Sequence, residues 1–132
     1  MSEQEQPVSE FKSKSGGQRI FAAWRYSING FRKAWQTEHS FRQELMLVVP
    51  AVIVALLLPV TAFEKLMLIG VFVLVLVVEL LNSAVEAVVD RVSLERHPLS
   101  KNAKDFGSAA VMLTLALALA TWAVILWPLL KY

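Results

Sequence analysis

The chain has 132 residues, a hydrophobic fraction of 56% and a formal net charge of +2, with a mean hydropathy of +0.53 and a pI of about 9.1. That length and apolarity leave room for one helical membrane domain and no separate soluble domain, so any active site must be built from helices and their ends. Zero Cys excludes disulfides, thiolate metal sites and a cysteine nucleophile; the basic balance comes without an aromatic and basic groove motif, so it points to positively charged cytoplasmic loops and not to nucleic acid.

Residues 1–17 are polar, rich in Ser, Gln, Glu and Lys, and end in Gly16-Gly17, which predicts a disordered tail. No short apolar core follows a basic start, so no cleaved signal peptide is expected. Residues 18–132 form the membrane domain. Its first element is an amphipathic surface helix over about 18–36, because Ile20, Phe21, Trp24, Ile28, Phe31 and Trp35 recur at helical spacing while Arg19, Arg25, Arg32 and Lys33 mostly occupy other positions. Asn29-Gly30 is its weak point. A helix packed on a soluble core would show the same pattern; anionic lipid on a cytoplasmic leaflet favours the interfacial reading.

The first membrane helix is predicted over about 41–58. Ser40 and Gln43 form a capping-box pattern ahead of the uncharged run Leu45 to Phe63. Pro50 removes one backbone donor inside it and should kink it. Glu38, Arg42 and Glu44 sit at its polar mouth. Pro59 ends the span, and Thr61 with Glu64 makes a second capping box that opens the next helix.

That second helix, over about 62–92, would be roughly 45 Å long and overshoots a hydrocarbon core of about 30 Å. Its uncharged half ends at Val78, and then Glu79, Asn82, Glu86 and Asp90 follow. At 100° per residue the last three fall within about 60° of Glu79, so four oxygen-bearing side chains share one stripe. A carboxylate at membrane depth costs on the order of 3 kcal/mol by insertion scales, so a stripe that begins there reads as a functional site. Its bland alternative is polar glue between helices of an oligomer. Arg91, Arg96, Lys101 and Lys104 cluster at its far end, against Lys65 and Lys131 at the other, which puts that end in the cytoplasm.

A short loop from Ser93 to Ser100 contains His97-Pro98, and a lone loop histidine is usually just solvated. The third membrane helix is expected over about 101–130. Ala103, Gly107, Ala110, Thr114 and Ala118 allow close helix approach, and Trp122 and Trp127 mark the opposite interface.

The run from Glu79 to Asp90, followed by Ser100-Lys101-Asn102-Ala103-Lys104-Asp105-Phe106-Gly107-Ser108-Ala109-Ala110-Val111, resembles the signature of the small integral-membrane bacterial diacylglycerol kinases. The similarity extends to Arg19, Tyr26, Trp35 and the segment Glu38 to Glu44, covering the chain from about Arg19 to Trp127. It implies an all-α membrane protein with three transmembrane helices and an N-terminal surface helix. It also implies a homotrimer with active sites shared between subunits, and ATP- and magnesium-dependent phosphorylation of diacylglycerol to phosphatidic acid. The location implied is the bacterial inner membrane, multi-pass, with the N-terminus cytoplasmic and the C-terminus periplasmic or external.

Carried over position by position, the resemblance makes Glu79 the base that takes the proton from the lipid hydroxyl, a task its depth suits. Glu38 and Glu86 match the magnesium ligands, the oxygen chemistry that ion prefers. Arg19, Tyr26, Glu38, Glu86, Glu95, His97, Lys104 and Asp105 match positions that contact ATP, with Lys104 as phosphate counter-charge. Asn82 and Asp90 support the site. Arg19, Glu79 and Ser108 are the candidates for contact with the lipid, although Ser108 also reads as packing.

The chain carries neither a P-loop nor a glycine-rich kinase loop, so phosphate binding falls to side chains, metal and helix ends. Phosphoryl transfer permits this, since it needs mainly positioning and charge stabilisation. Within the same family undecaprenol is the alternative acceptor. A small proton- or cation-conducting oligomer is the alternative of another class, but it would want polar groups through both leaflets, and Leu66 to Val78 offers none.

Overall fold

The computed structural model describes residues 15–132, so the expected disordered tail lies, up to residue 14, outside the described residues. Those described form four α-helices: α1 (Gly16–Thr37), α2 (His39–Leu57), α3 (Ala62–Val92) and α4 (Pro98–Leu126), with a short 3₁₀ turn at Trp127–Lys131. Among the described residues there is no strand. The last three helices are each long and apolar enough to cross a membrane, and the all-helical expectation of three spans and an N-terminal helix holds.

The chain divides into two compact units, the first ending at Thr37 and the second running from Glu38 to Tyr132. In the first, α1 starts at Gly16, where a tail was expected. Helical hydrogen bonding begins with Arg19 N–H donating to the Ser15 carbonyl at 2.9 Å. Ile20, Phe21, Trp24, Phe31 and Trp35 are exposed along α1.

In the second unit α3 packs against both α2 and α4. The buried positions of α2, Phe41, Val48 and Ala55, fall every seventh residue, so one stripe turns inward. On α3 the buried positions are Leu68, Val71, Val75 and Glu79, a helical stripe that is apolar for three steps and acidic at the fourth. Val71 and Val75 meet Ala118 of α4, with Phe72, Leu115 and Trp122 packed around them. Trp122, expected as an interface marker, locks α4 to α3: its Nε1–H donates to the Leu68 carbonyl at 3.1 Å, and its ring meets Phe72 edge to face with centroids 5.6 Å apart.

Three helix ends set where the site lies. At α3 the Thr61–Glu64 capping box is complete: Glu64 N–H donates to Thr61 Oγ1 at 3.2 Å, and Thr61 N–H donates to Glu64 Oε2 at 2.8 Å. Lys65 Nζ also reaches back to the Leu56 carbonyl at 2.7 Å, placing a cation where the C-terminus of α2 is electronegative. The capping box expected at Ser40 does not form. Glu38 has the extended backbone of an N-cap, φ −101° and ψ 108°, and Arg42 N–H donates to its carbonyl at 3.3 Å. Ser40 thus lies inside the first turn. At α4 the helix starts three residues before the expected Lys101, because His97 is the N-cap and Pro98 takes the first helical position, where its missing N–H costs nothing.

Candidate functional site

Period and packing together make the site. Ser40, Gln43, Glu44 and Leu47 stand at i, i+3, i+4 and i+7 on α2, one helical face. They line a groove of about 490 Å³ opposite Glu79, Asn82 and Glu86 of α3, with Ser108, Val111 and Leu115 of α4 completing its wall. Glu79 is only 4% exposed. Three carboxylates, Glu44, Glu79 and Glu86, line this one groove.

Asn82 stands between the acids on the stripe. Its Nδ2 donates to Glu86 Oε1 at 3.4 Å, one turn further on. Among the described residues, Asn82 Oδ1 and Glu44 Oε2 are buried with no hydrogen-bond partner. Buried polar atoms are nearly always satisfied in native proteins, so two orphans lining one groove with a buried acid single it out as the candidate site.

A second pocket of about 840 Å³ sits at the far end of α3, bounded by Asp90, Ser93, Glu95, His97, Lys104 and Asp105 among others. Lys104 Nζ pairs with Asp90 Oδ1 at 2.8 Å, tying α4 to α3, and Lys101 pairs with Asp105 one turn apart on α4. The loop is shaped by its own hydrogen bonds. Glu95 N–H donates to Ser93 Oγ at 3.0 Å, and Leu99 N–H donates to His97 Nδ1 at 3.1 Å. His97 is therefore a helix cap and not only a solvated loop residue.

Of the residues singled out from sequence, Glu79, Asn82, Glu86 and Ser108 share the groove, and Asp90, Glu95, His97, Lys104 and Asp105 share the second pocket. Glu38 is the N-cap of α2. Arg19 and Tyr26 lie on α1, where the Arg25 guanidinium stands 5.6 Å from the Tyr26 ring centre. Sequence reasoning missed Glu44 as part of the site, together with Ser40 and Gln43. The signal that could have found them is the spacing of Ser40, Gln43, Glu44 and Leu47, a polar face opening onto a membrane span.

Comparison with known proteins gives the family. A family model described as prokaryotic diacylglycerol kinase matches residues 25–126. A diacylglycerol kinase of Pseudomonas aeruginosa is 54% identical over 118 residues, covering 89% of this chain and 96% of that protein. One of Escherichia coli K12 is 49% identical over 113 residues, 86% of this chain and 93% of that protein. One of Helicobacter pylori J99 is 36% identical over 118 residues, 87% and 92% respectively.

Proposed function

The chain belongs to the prokaryotic diacylglycerol kinase family, and from that membership we propose that it phosphorylates the free hydroxyl of diacylglycerol with ATP, giving phosphatidic acid and ADP. The observation that carries this reading is the buried carboxylate of Glu79 in a groove between membrane helices. An acid in that setting is set to meet a hydroxyl at the acyl boundary, where a soluble kinase site could not reach it. In the step itself the lipid oxygen bonds to the γ-phosphorus as the bond to ADP breaks, and the hydroxyl proton passes to Glu79.

The other residues position and neutralise. Asn82 steadies Glu86 through its amide. Lys104 is the counter-charge for the phosphates, and Asp90 holds it in place. Arg19, Tyr26, Glu95, His97 and Asp105 are the remaining nucleotide contacts; with Nδ1 of His97 occupied by the helix cap, any contact from that ring falls to Nε2. Arg19 and Ser108 contact the lipid.

Magnesium fits the donor set. This ion takes one or two carboxylates beside substrate phosphates and water instead of a closed protein cage, and Glu86 offers such a carboxylate in the groove beside Glu79. Glu38 and Glu86 would hold it. When bound with ATP it would draw negative charge from the phosphoryl oxygens.

The protein works as a homotrimer in the bacterial inner membrane, its N-terminus cytoplasmic and its C-terminus periplasmic or external, with sites shared between protomers. Three thin spans cannot by themselves enclose a lipid headgroup and ATP. An ion-conducting role finds no support in the half of α3 away from the acids, where Leu68, Val71 and Val75 are the buried positions. The lipid is tested by competition: diacylglycerol and undecaprenol in one mixed micelle with labelled ATP and magnesium, products separated by chromatography. Labelled phosphatidic acid should dominate, and a dominant undecaprenyl phosphate would name the other acceptor.

A further inference from the structure

Gly107 of α4 stands against the one side chain that links the acids of α3. A Cβ built on Gly107 would fall on the Asn82 side-chain oxygen and 3.0 Å from its Cγ. The Asn82 amide thus occupies the space in which any other residue at position 107 would carry its side chain. Oδ1 is the same atom that is buried with no hydrogen-bond partner, so what faces it is the bare Cα of Gly107, whose hydrogen offers only a weak C–H contact. The opposite end of the amide, Nδ2, donates to Glu86.

A buried amide oxygen left on a glycine is costly to hold, and it can stay there only because the glycine has no Cβ to drive it out. With Oδ1 seated against α4, Nδ2 is aimed along the stripe at Glu86. We infer that Gly107 is a positioning residue for phosphoryl transfer, holding the Asn82 amide between α3 and α4 so that it directs the Glu86 carboxylate. This deepens the proposed kinase reading and rests on it. The other glycines of the described residues do not share the feature: a Cβ on Gly70 of α3, for one, would meet nothing within 4 Å.

Because the displaced atoms are the end of a side chain, Gly107→Ala is expected to leave the helices in place and swing the Asn82 amide away from Glu86. Three variants of the full-length protein test this: Gly107→Ala, Asn82→Ala and the double variant. Turnover should fall by a similar factor, roughly tenfold on the scale of one lost hydrogen bond to a charged group, in all three. The double variant should be no worse than Asn82→Ala alone, because both changes act through one side chain. A double variant whose loss equals the product of the two single losses would overturn the inference, since Gly107 would then act independently of Asn82.

A spectroscopic readout separates positioning from packing and from the lipid assignment. The chain has three asparagines, Asn29, Asn82 and Asn102, so the side-chain amide of Asn82 is identified in ¹⁵N-asparagine-labelled protein by its loss in Asn82→Ala. Gly107→Ala should move that signal while leaving the other two in place. An unmoved Asn82 signal would overturn the inference. The signal reports geometry whichever lipid is phosphorylated, so failure here and failure of the kinase reading are distinguishable.

Discussion

Lys104 of α4 and Asp90 of α3 form an ion pair at 2.8 Å across the mouth of the pocket that also holds Glu95 and His97. Both side chains are about half exposed, so the pair adds little to stability. Its consequence is directional. A lysine on four flexible bonds is a poor phosphate clamp unless something fixes it, and Asp90 does so from the neighbouring helix.

Asp90→Asn should therefore raise the KM for ATP several-fold, the scale of one weakened charge-assisted contact, while thermal unfolding in detergent changes little. Lys104→Ala should raise it further, by roughly tenfold. Steady-state kinetics at varied ATP checks both. An unchanged KM in Lys104→Ala would remove Lys104 from the nucleotide site.

Glu38→Ala and Glu86→Ala should each raise the magnesium concentration needed for half activity, because each deletes one of the two carboxylates assigned to the ion. Titration of magnesium at saturating ATP measures this. If neither variant shifts that concentration, these acids are not ligands.

Mixed oligomers test the sharing of sites. A Glu79→Gln protomer and a Glu86→Ala protomer, assayed at a magnesium concentration where each is strongly impaired alone, should recover activity when co-assembled if a site takes Glu79 and Glu86 from different chains. No recovery in verified mixed oligomers would mean that each site lies within one chain.

Much of this was legible in the sequence where the cause is local. The Thr61–Glu64 box forms because both partners are three residues apart on one turn, and the acid stripe of α3 follows from period alone. Ser40 and Gln43 have the same spacing and form no cap, since the extended backbone of Glu38 takes that role upstream. Glu44 and Gly107 were the least legible. Glu44 gains its meaning from Glu79, which lines the same groove from another helix. Gly107 looked like one more small residue in a packing run, and only the seat of the Asn82 amide against it separates it from its neighbours.

The central claim is that Glu79 is the base, and turnover of Glu79→Gln alongside its nucleotide binding tests it most directly. The change keeps the size of the side chain and removes its ability to accept the proton. Phosphorylation of diacylglycerol should fall by about a hundredfold or more, the lower range of general base catalysis, with ATP bound as tightly as in the unaltered protein. Near-normal turnover in that variant would contradict it.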